Sequence, residues 1–373
     1  MLKSLKYRIR PTRKQERLLQ QTLDECRWLY NHFLEQRKTA WEEQQKSINY
    51  HAQAVLIPKL KQERRSLTEV HSQVLQNVAI RIDLAFKAFF RRVKAGENPG
   101  YPRFCGKHRY NSFTFPQVPS GCRIIEGVLQ LSKIGHIRIT LHRPIEGAIK
   151  TCTLRRTSTG KWFACFSCEV TPQALENNTQ FIGVDVGLES FATLSTGEHV
   201  ANPRFFRRDE KDLARAQRKL SKAEKGTPKR AKSRKVVARI HERIANRRRN
   251  FTHQEARKLV NRFGTIAIED LSVNQMGHNH CLAKSITDAA WSQFAQHLSY
   301  KAECAGRTLV KVNPAYTSQD CHRCGHRQTK KLSDRIHRCS CCGLEMHRDH
   351  NAALNILALG LQSLGSIPRS PSL

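Results

Sequence analysis

The sequence predicts a multi-domain chain. Its first half is β, a small barrel interrupted by a helical insertion, and its second half is α/β, with a cysteine-rich insert before the last helix. Three observations predict this. Apolar residues alternate at the N-terminus, change to helical spacing, and return to short strand-like runs after a cluster of breaking residues. Past Asn178, short apolar strands alternate with helical stretches, as in an α/β unit. Two Cys-x-x-Cys pairs interrupt that second pattern.

In chain order, residues 2–10 alternate through Leu5, Tyr7 and Ile9 and read as a strand. After Pro11, Thr12-Arg13-Lys14-Gln15 has the form of a capping box that opens a helix. Apolar residues then recur with helical spacing at Leu18/Leu19, Leu23, Cys26, Leu29/Tyr30 and Phe33/Leu34. A second helix is predicted over 68–90, with Leu75, Val78, Ile82, Phe86 and Phe89 on one face, and Gly96-Glu97-Asn98-Pro99-Gly100 ends it. Strand-like runs follow at 128–131, 137–141 and 161–170, with Thr157-Ser158-Thr159-Gly160 as a hairpin turn. The expected modules are a barrel from 1–10 and 101–178, joined by the first strand, with 11–100 inserted as helices.

A hairpin is predicted at 181–197. The most basic stretch comes next, with 22 Lys+Arg against 6 Asp+Glu between Pro203 and Arg262. Its sparse apolar stripe (Leu213, Ala216, Leu220, then Val236, Ile240, Ile244) fits a pair of helices over 203–262. The excess would repel itself unless phosphates lay against it, although a solvated charged face has the same composition. Lys229, Arg230, Arg247, Arg248 and Arg249 are the candidate contacts. A strand at 265–271, a helix near 290–305, a strand at 308–312 and a helix after Asp349 complete an α/β domain of 179–316 and 346–360. Residues 361–373 are left as a tail.

Cys321-x-x-Cys324 and Cys339-x-x-Cys342 stand fourteen residues apart, each followed by a glycine. Two such knuckles deliver four thiolates to one Zn²⁺, and a closed four-thiolate site is structural. The expected ribbon covers 317–345. Cys341 is a competing ligand by position. The other cysteines are scattered and read as core or surface thiols.

Charge narrows the partner. The net charge is +34, which suits a polyanion, nucleic acid first among them. No stretch approaches a membrane span, the N-terminus lacks a signal-peptide core, and the 13 cysteines are odd in number. A reduced, cytoplasmic protein with some metal-bound thiolates is expected. Asp185 lies in the apolar run Phe181-Ile182-Gly183-Val184-Asp185, Glu269 ends Thr265-Ile266-Ala267-Ile268-Glu269, and Asp349 opens the last helix. Acids seldom sit on buried strands without a partner. Three that converge would need cations between them, and two carboxylate-held Mg²⁺ ions are what phosphodiester hydrolysis requires. With 31 Asp+Glu in the chain, three acids at element ends also arise without a shared purpose.

Gly183-Val184-Asp185-Val186-Gly187, Ile268-Glu269-Asp270-Leu271, Thr317-Ser318-Gln319 before the cysteine pairs, and Arg348-Asp349 followed by Asn351-Ala352-Ala353 and Asn355-Ile356 resemble the TnpB family. These are insertion-sequence proteins related to type V CRISPR effectors. Arg10-Pro11-Thr12 and Tyr101-Pro102-Arg103-Phe104 share the resemblance, which spans nearly the whole chain. It implies an RNA-guided DNA endonuclease. The barrel would be a wedge domain with a recognition insertion. The α/β domain would be an RNase H-like RuvC domain using Asp185, Glu269 and Asp349 with Mg²⁺, and the zinc ribbon would be inserted in it. It also implies a guide RNA from the element's end, a double-stranded DNA target, and an adjacent motif read by Tyr50, Gln76 and Thr114; the sequence leaves the oligomeric state open, with a monomer favoured. A transposase using the same acids, a guide-directed repressor and a protein that stabilises a transcript are the rival functions.

Overall fold

The computed structural model describes residues 1–107, 109–331 and 334–365. The chain divides into two compact units between Thr171 and Pro172.

The first unit starts with strand β1 (Leu2–Arg10). Helices α1 (Arg13–Gln44), α2 (Tyr50–Ala54) and α3 (Ile57–Glu63), a 3-10 turn (Arg65–Glu69) and helix α4 (Ser72–Lys94) follow. Six strands complete it: β2 (Ser112–Phe115), β3 (Cys122–Ile125), β4 (Val128–Leu131), β5 (Gly135–Thr140), β6 (Ala148–Arg156) and β7 (Trp162–Glu169). The seven strands form one antiparallel, nearly closed, barrel-like sheet in the order β2-β6-β7-β1-β5-β4-β3. The first strand thus joins the barrel, between β7 and β5. The reciprocal capping box forms at Thr12 and Gln15. The β6–β7 hairpin closes on Thr157, whose N–H donates to the Lys161 carbonyl at 2.8 Å.

Alternation in β1 places Leu5, Tyr7 and Ile9 inside, packed with Trp162, Ala164 and Phe166 of β7. The buried stripes of α1 (Leu19, Leu23, Cys26, Leu29, Phe33) and α4 (Val74, Val78, Ile82) belong to the same core. The inserted helices therefore share the barrel's core. Polar anchors hold the short helices. Gln53 accepts from Arg37 Nε at 2.8 Å and donates to the Phe33 carbonyl at 2.8 Å, and Glu25 pairs with Arg64 at 2.7 Å. Helix α1 runs ten residues past Leu34, the last residue of its predicted stripe.

The second unit contains β8 (Phe181–Val186), β9 (Ser190–Leu194), β10 (His199–Ala201), α5 (Phe205–Ser221), α6 (Pro228–Arg262) and β11 (Thr265–Glu269). It continues with α7 (Val273–Met276), α8 (Ala283–Ala289), α9 (Trp291–Ala305), β12 (Thr308–Val312), β13 (Ile336–Arg338), β14 (Glu345–His347) and α10 (Arg348–Ser363). Its main sheet has the order β10-β9-β8-β11-β12, with β8, β11 and β12 parallel and the other pairings antiparallel. Ile182, Val184, Ile266 and Ile268 meet α6 and α9 through Leu259, Phe294 and Leu298. Gly183 and Ala267 face α10 instead. Burial on both faces is why β8 and β11 read as unbroken apolar runs. Helix α10 continues to Ser363, into the predicted tail, and residues 366–373 of that tail lie outside the described residues.

Candidate active site and cysteine cluster

The register pairs Val184 with Ile268 on adjacent parallel strands, so the next residues, Asp185 and Glu269, stand side by side at the strand ends. Side chains alternate along a strand, so Asp185 shares the α10 face with Gly183. Gly183 is the residue that lets α10 come close. A Cβ there would meet Leu357 N at 2.7 Å and Leu357 Cβ at 2.9 Å, with the Ala353 carbonyl oxygen nearer still. Asp349 lies one helical turn before Ala353, so the same close approach brings it over Asp185. Asp349 is 8% exposed.

The electrostatics record the convergence. Burial pushes the Asp185 carboxyl well above the usual carboxylate range, and the nearby Glu269 and Asp349 push it further, while Arg348 opposes them. Glu269 is also raised by burial, against a hydrogen bond from the Thr317 hydroxyl at 2.6 Å. Arg348 Nε lies 3.4 Å from Asp349 Oδ1. An all-oxygen donor set with excess negative charge suits a hard divalent cation.

The four cysteines predicted to pair do converge. The Sγ atoms of Cys321, Cys324, Cys339 and Cys342 lie within 4.8 Å of one another, which is compatible with a zinc site. Cys341 is exposed and outside the cluster. Gly325 and Gly343 adopt φ +75 and +67, left-handed values that glycine takes without strain, and each closes its knuckle on the first cysteine's carbonyl. N–H groups of Cys342 and Cys341 draw the Cys339 thiol down to about 6.

Sequence reasoning assigned no role to the residues that join the two sites. Asn355 Nδ2 donates to the carbonyls of Thr317 and Asp320, and Asn351 Nδ2 donates to Asp320. Their only signal was membership of the same motifs as the acids.

The basic helices divide by partner. Arg248 pairs with Asp288 at 2.7 Å, and Arg230 donates to the carbonyls of Leu220 and Ala223, bracing the α5–α6 turn. Arg247 shares Asp209 with Arg243. Lys229 and Arg249 make no ion pair among the described residues. In the first unit, Gln76 is exposed on α4 and Tyr50 is half-buried at the start of α2. The Thr114 hydroxyl is bonded to Arg81 and Thr153.

The fold is shared with "Structure of the mini-RNA-guided endonuclease CRISPR-Cas_phi3", at a TM-score of 0.50 over 100% of this chain and 94% of that one, with 10% identity. Family profiles match three segments. "Probable transposase" covers 165–280, "Cas12f1-like, TNB domain" covers 291–356, and "Helix-turn-helix domain" covers 1–46, which here form β1 and the single helix α1. A Streptomyces pristinaespiralis protein named "Putative RNA-guided DNA endonuclease" is 37% identical over 96% of this chain and 89% of its own length. An Escherichia coli K12 protein named "Putative RNA-guided DNA endonuclease InsQ" is 31% identical over 96% and 92%. The chain belongs to the TnpB family.

Proposed function

We propose that this chain is an RNA-guided DNA endonuclease. It binds a guide RNA from its own element, opens double-stranded DNA beside a short motif, and hydrolyses the phosphodiester at an RuvC-type, RNase H-like site. The observation that carries this reading is the Asp185 carboxyl buried among Glu269 and Asp349 at the ends of adjacent parallel strands. Those three acids would hold two Mg²⁺ ions, which supply an activated water and a counter-charge for the leaving oxygen. Asp185 presents its carboxylate from a fixed strand, Asp349 from a helix start fixed on that strand, and Glu269 from a bond to Thr317. Arg348 offsets part of the mutual repulsion before cations bind.

The four-cysteine ribbon takes one structural Zn²⁺. Lys229, Arg247 and Arg249 meet nucleic-acid phosphates, while Arg230 and Arg248 contribute by bracing the helices that present them. Guide pairing supplies sequence specificity, and protein contacts read shape and the adjacent motif. Gln76 and Tyr50 are the proposed motif readers, with Thr114 acting from within its hydrogen-bonded group.

The test is cleavage of a guide-matched duplex in Mg²⁺ by purified protein with its copurifying RNA. Asp185→Ala is expected to abolish cutting and retain target binding. Strand transfer between labelled element ends would instead identify a transposase. Guide-directed binding without cutting by the parent protein would identify a repressor.

A further inference from the structure

Thr317 lies between β12 and the first cysteine pair and is 4% exposed. Its Oγ1 is 2.6 Å from Glu269 Oε1 and 3.2 Å from the Pro314 carbonyl oxygen. A hydroxyl has one proton to give. In a buried setting a bond to a carboxylate outweighs one to a neutral carbonyl, so the proton goes to Glu269. Pro314 is the acceptor in reserve.

The backbone of Thr317 is held by α10. Asn355 Nδ2 donates to the Thr317 and Asp320 carbonyls, both at 2.8 Å. Asn351 Nδ2 donates to the Asp320 carbonyl at 2.7 Å, and Asn351 Oδ1 accepts from the His322 N–H at 3.0 Å. Asp320 and His322 flank Cys321, and Asn351 is fully buried. The residues flanking the ribbon's first cysteine, the helix that carries Asp349, and the hydroxyl on Glu269 are therefore one connected set of hydrogen bonds. The preceding residue, Tyr316, takes φ +66, a left-handed value unusual for a side-chain-bearing residue, and its carbonyl accepts from Gln319 and Asp320 N–H groups. The turn that aims Thr317 is thus fixed from both ends.

We infer that Thr317 is the positioning residue of Glu269. By occupying Oε1 it fixes how Glu269 presents its remaining lone pairs to a divalent cation shared with Asp185 and Asp349. Through Asn351 and Asn355 it also couples that orientation to the order of the four-cysteine ribbon. The inference rests on the nuclease reading above.

The test compares Thr317→Val, which keeps the shape and removes the hydroxyl, with Thr317→Ser, which restores it. Mn²⁺ binding to the zinc-loaded full chain is followed by electron paramagnetic resonance. In parallel, the Mg²⁺ concentration for half-maximal cleavage is measured in the guide–target complex. Thr317→Val is expected to weaken Mn²⁺ binding about tenfold, the scale of a lost hydrogen bond to a charged group. Thr317→Ser is expected to return within about twofold of the parent, since the bond is restored. Zinc content and target binding stay at parent values in both. Should Thr317→Val not fold, Thr317→Ala is measured in its place. Parental Mn²⁺ binding without the hydroxyl overturns the inference, and so does equal impairment of the valine and serine variants, which would mean packing alone. Mn²⁺ bound equally by the parent and by Asp185→Ala would overturn the nuclease reading itself.

Discussion

Adding one methyl group to Gly183 should disable the acid site without touching an acid. The new Cβ would stand 2.9 Å from Leu357 Cβ and 2.7 Å from Leu357 N, with the Ala353 carbonyl oxygen closer. Carbon atoms at rest lie about 3.5–4.0 Å apart, so α10 must retreat by about 1 Å. Asp349 rides on that helix one turn before Ala353, whereas Asp185 stays on the strand. A misplacement of about 1 Å in a catalytic constellation costs on the order of 100-fold in rate. Overpacking of this kind also costs about 1–3 kcal/mol of stability. Urea unfolding and single-turnover cleavage with a matched guide and target measure the two effects, with target binding as the control. Gly360→Ala is the internal comparison. Its Cβ would press on Ala267 Cβ at 2.6 Å, but at the far end of α10 from Asp349. It should lose comparable stability and far less rate. A Gly183→Ala protein with parental stability and cleavage would refute the reasoning, because α10 would then have slack over β8.

Freshly purified protein should contain about one zinc per chain, and Cys321→Ser or Cys339→Ser should lose it and destabilise the second unit, as elemental analysis and thermal unfolding will read. Arg248→Ala should cost about 3 kcal/mol in chemical unfolding, because it leaves the buried Asp288 carboxylate, which Arg248 now meets at 2.7 Å, with the Phe206 N–H and, among the described residues, no cation. Neutralising Lys229 and Arg249 should leave stability unchanged and flatten the salt dependence of nucleic-acid binding, by a log–log slope of roughly 0.7–0.9 per lost phosphate contact. Burial raises the Asp185 and Glu269 carboxyls, and the neighbouring acids raise Asp185 further, so the metal-free folded chain holds protons that the unfolded chain releases. Its stability should therefore fall as pH rises from the ordinary carboxylate range through the raised folded values. Asp185→Asn should unfold at a higher temperature than the parent in chelator above that range.

What could be read from the sequence was carried by local or periodic signals. The apolar runs ending in Asp185 and Glu269 mark strands buried on both faces, and the paired cysteines with trailing glycines mark knuckles whatever surrounds them. The stripe of α4 gave its face, although the helix lies about four residues later than its spacing suggested. Elements without such signals were missed. Helices α2 and α3 are five and seven residues long, too short to show a period, and are held by Gln53 and Glu25 through partners on other helices. Strand β6 buries only Cys152 and Leu154 along nine residues, so its alternation is faint. The basic stretch showed its charge but not its division of labour, because Asp209 and Asp288 reach the arginines from other helices. Thr317 stood out only within the Thr317-Ser318-Gln319 motif, with nothing to show its role, since its acceptor lies 48 residues earlier.

Strand β14 ends at His347 and α10 begins at Arg348, with no connecting residue between them. His347 also caps the helix, accepting the Asp349 N–H on Nδ1 at 3.3 Å. The hairpin that carries Cys339 and Cys342 therefore sets the rotational phase of α10. Each residue of an α-helix turns by about 100°, so one residue gained or lost between Cys342 and Asp349 would swing that carboxylate to a different side of the helix. By this count, a length change in the ribbon leaves the phase of α10 untouched only where it falls upstream of β13. A ribbon transplanted from another protein must match this one in the count from Cys342 to Asp349, whatever its sequence.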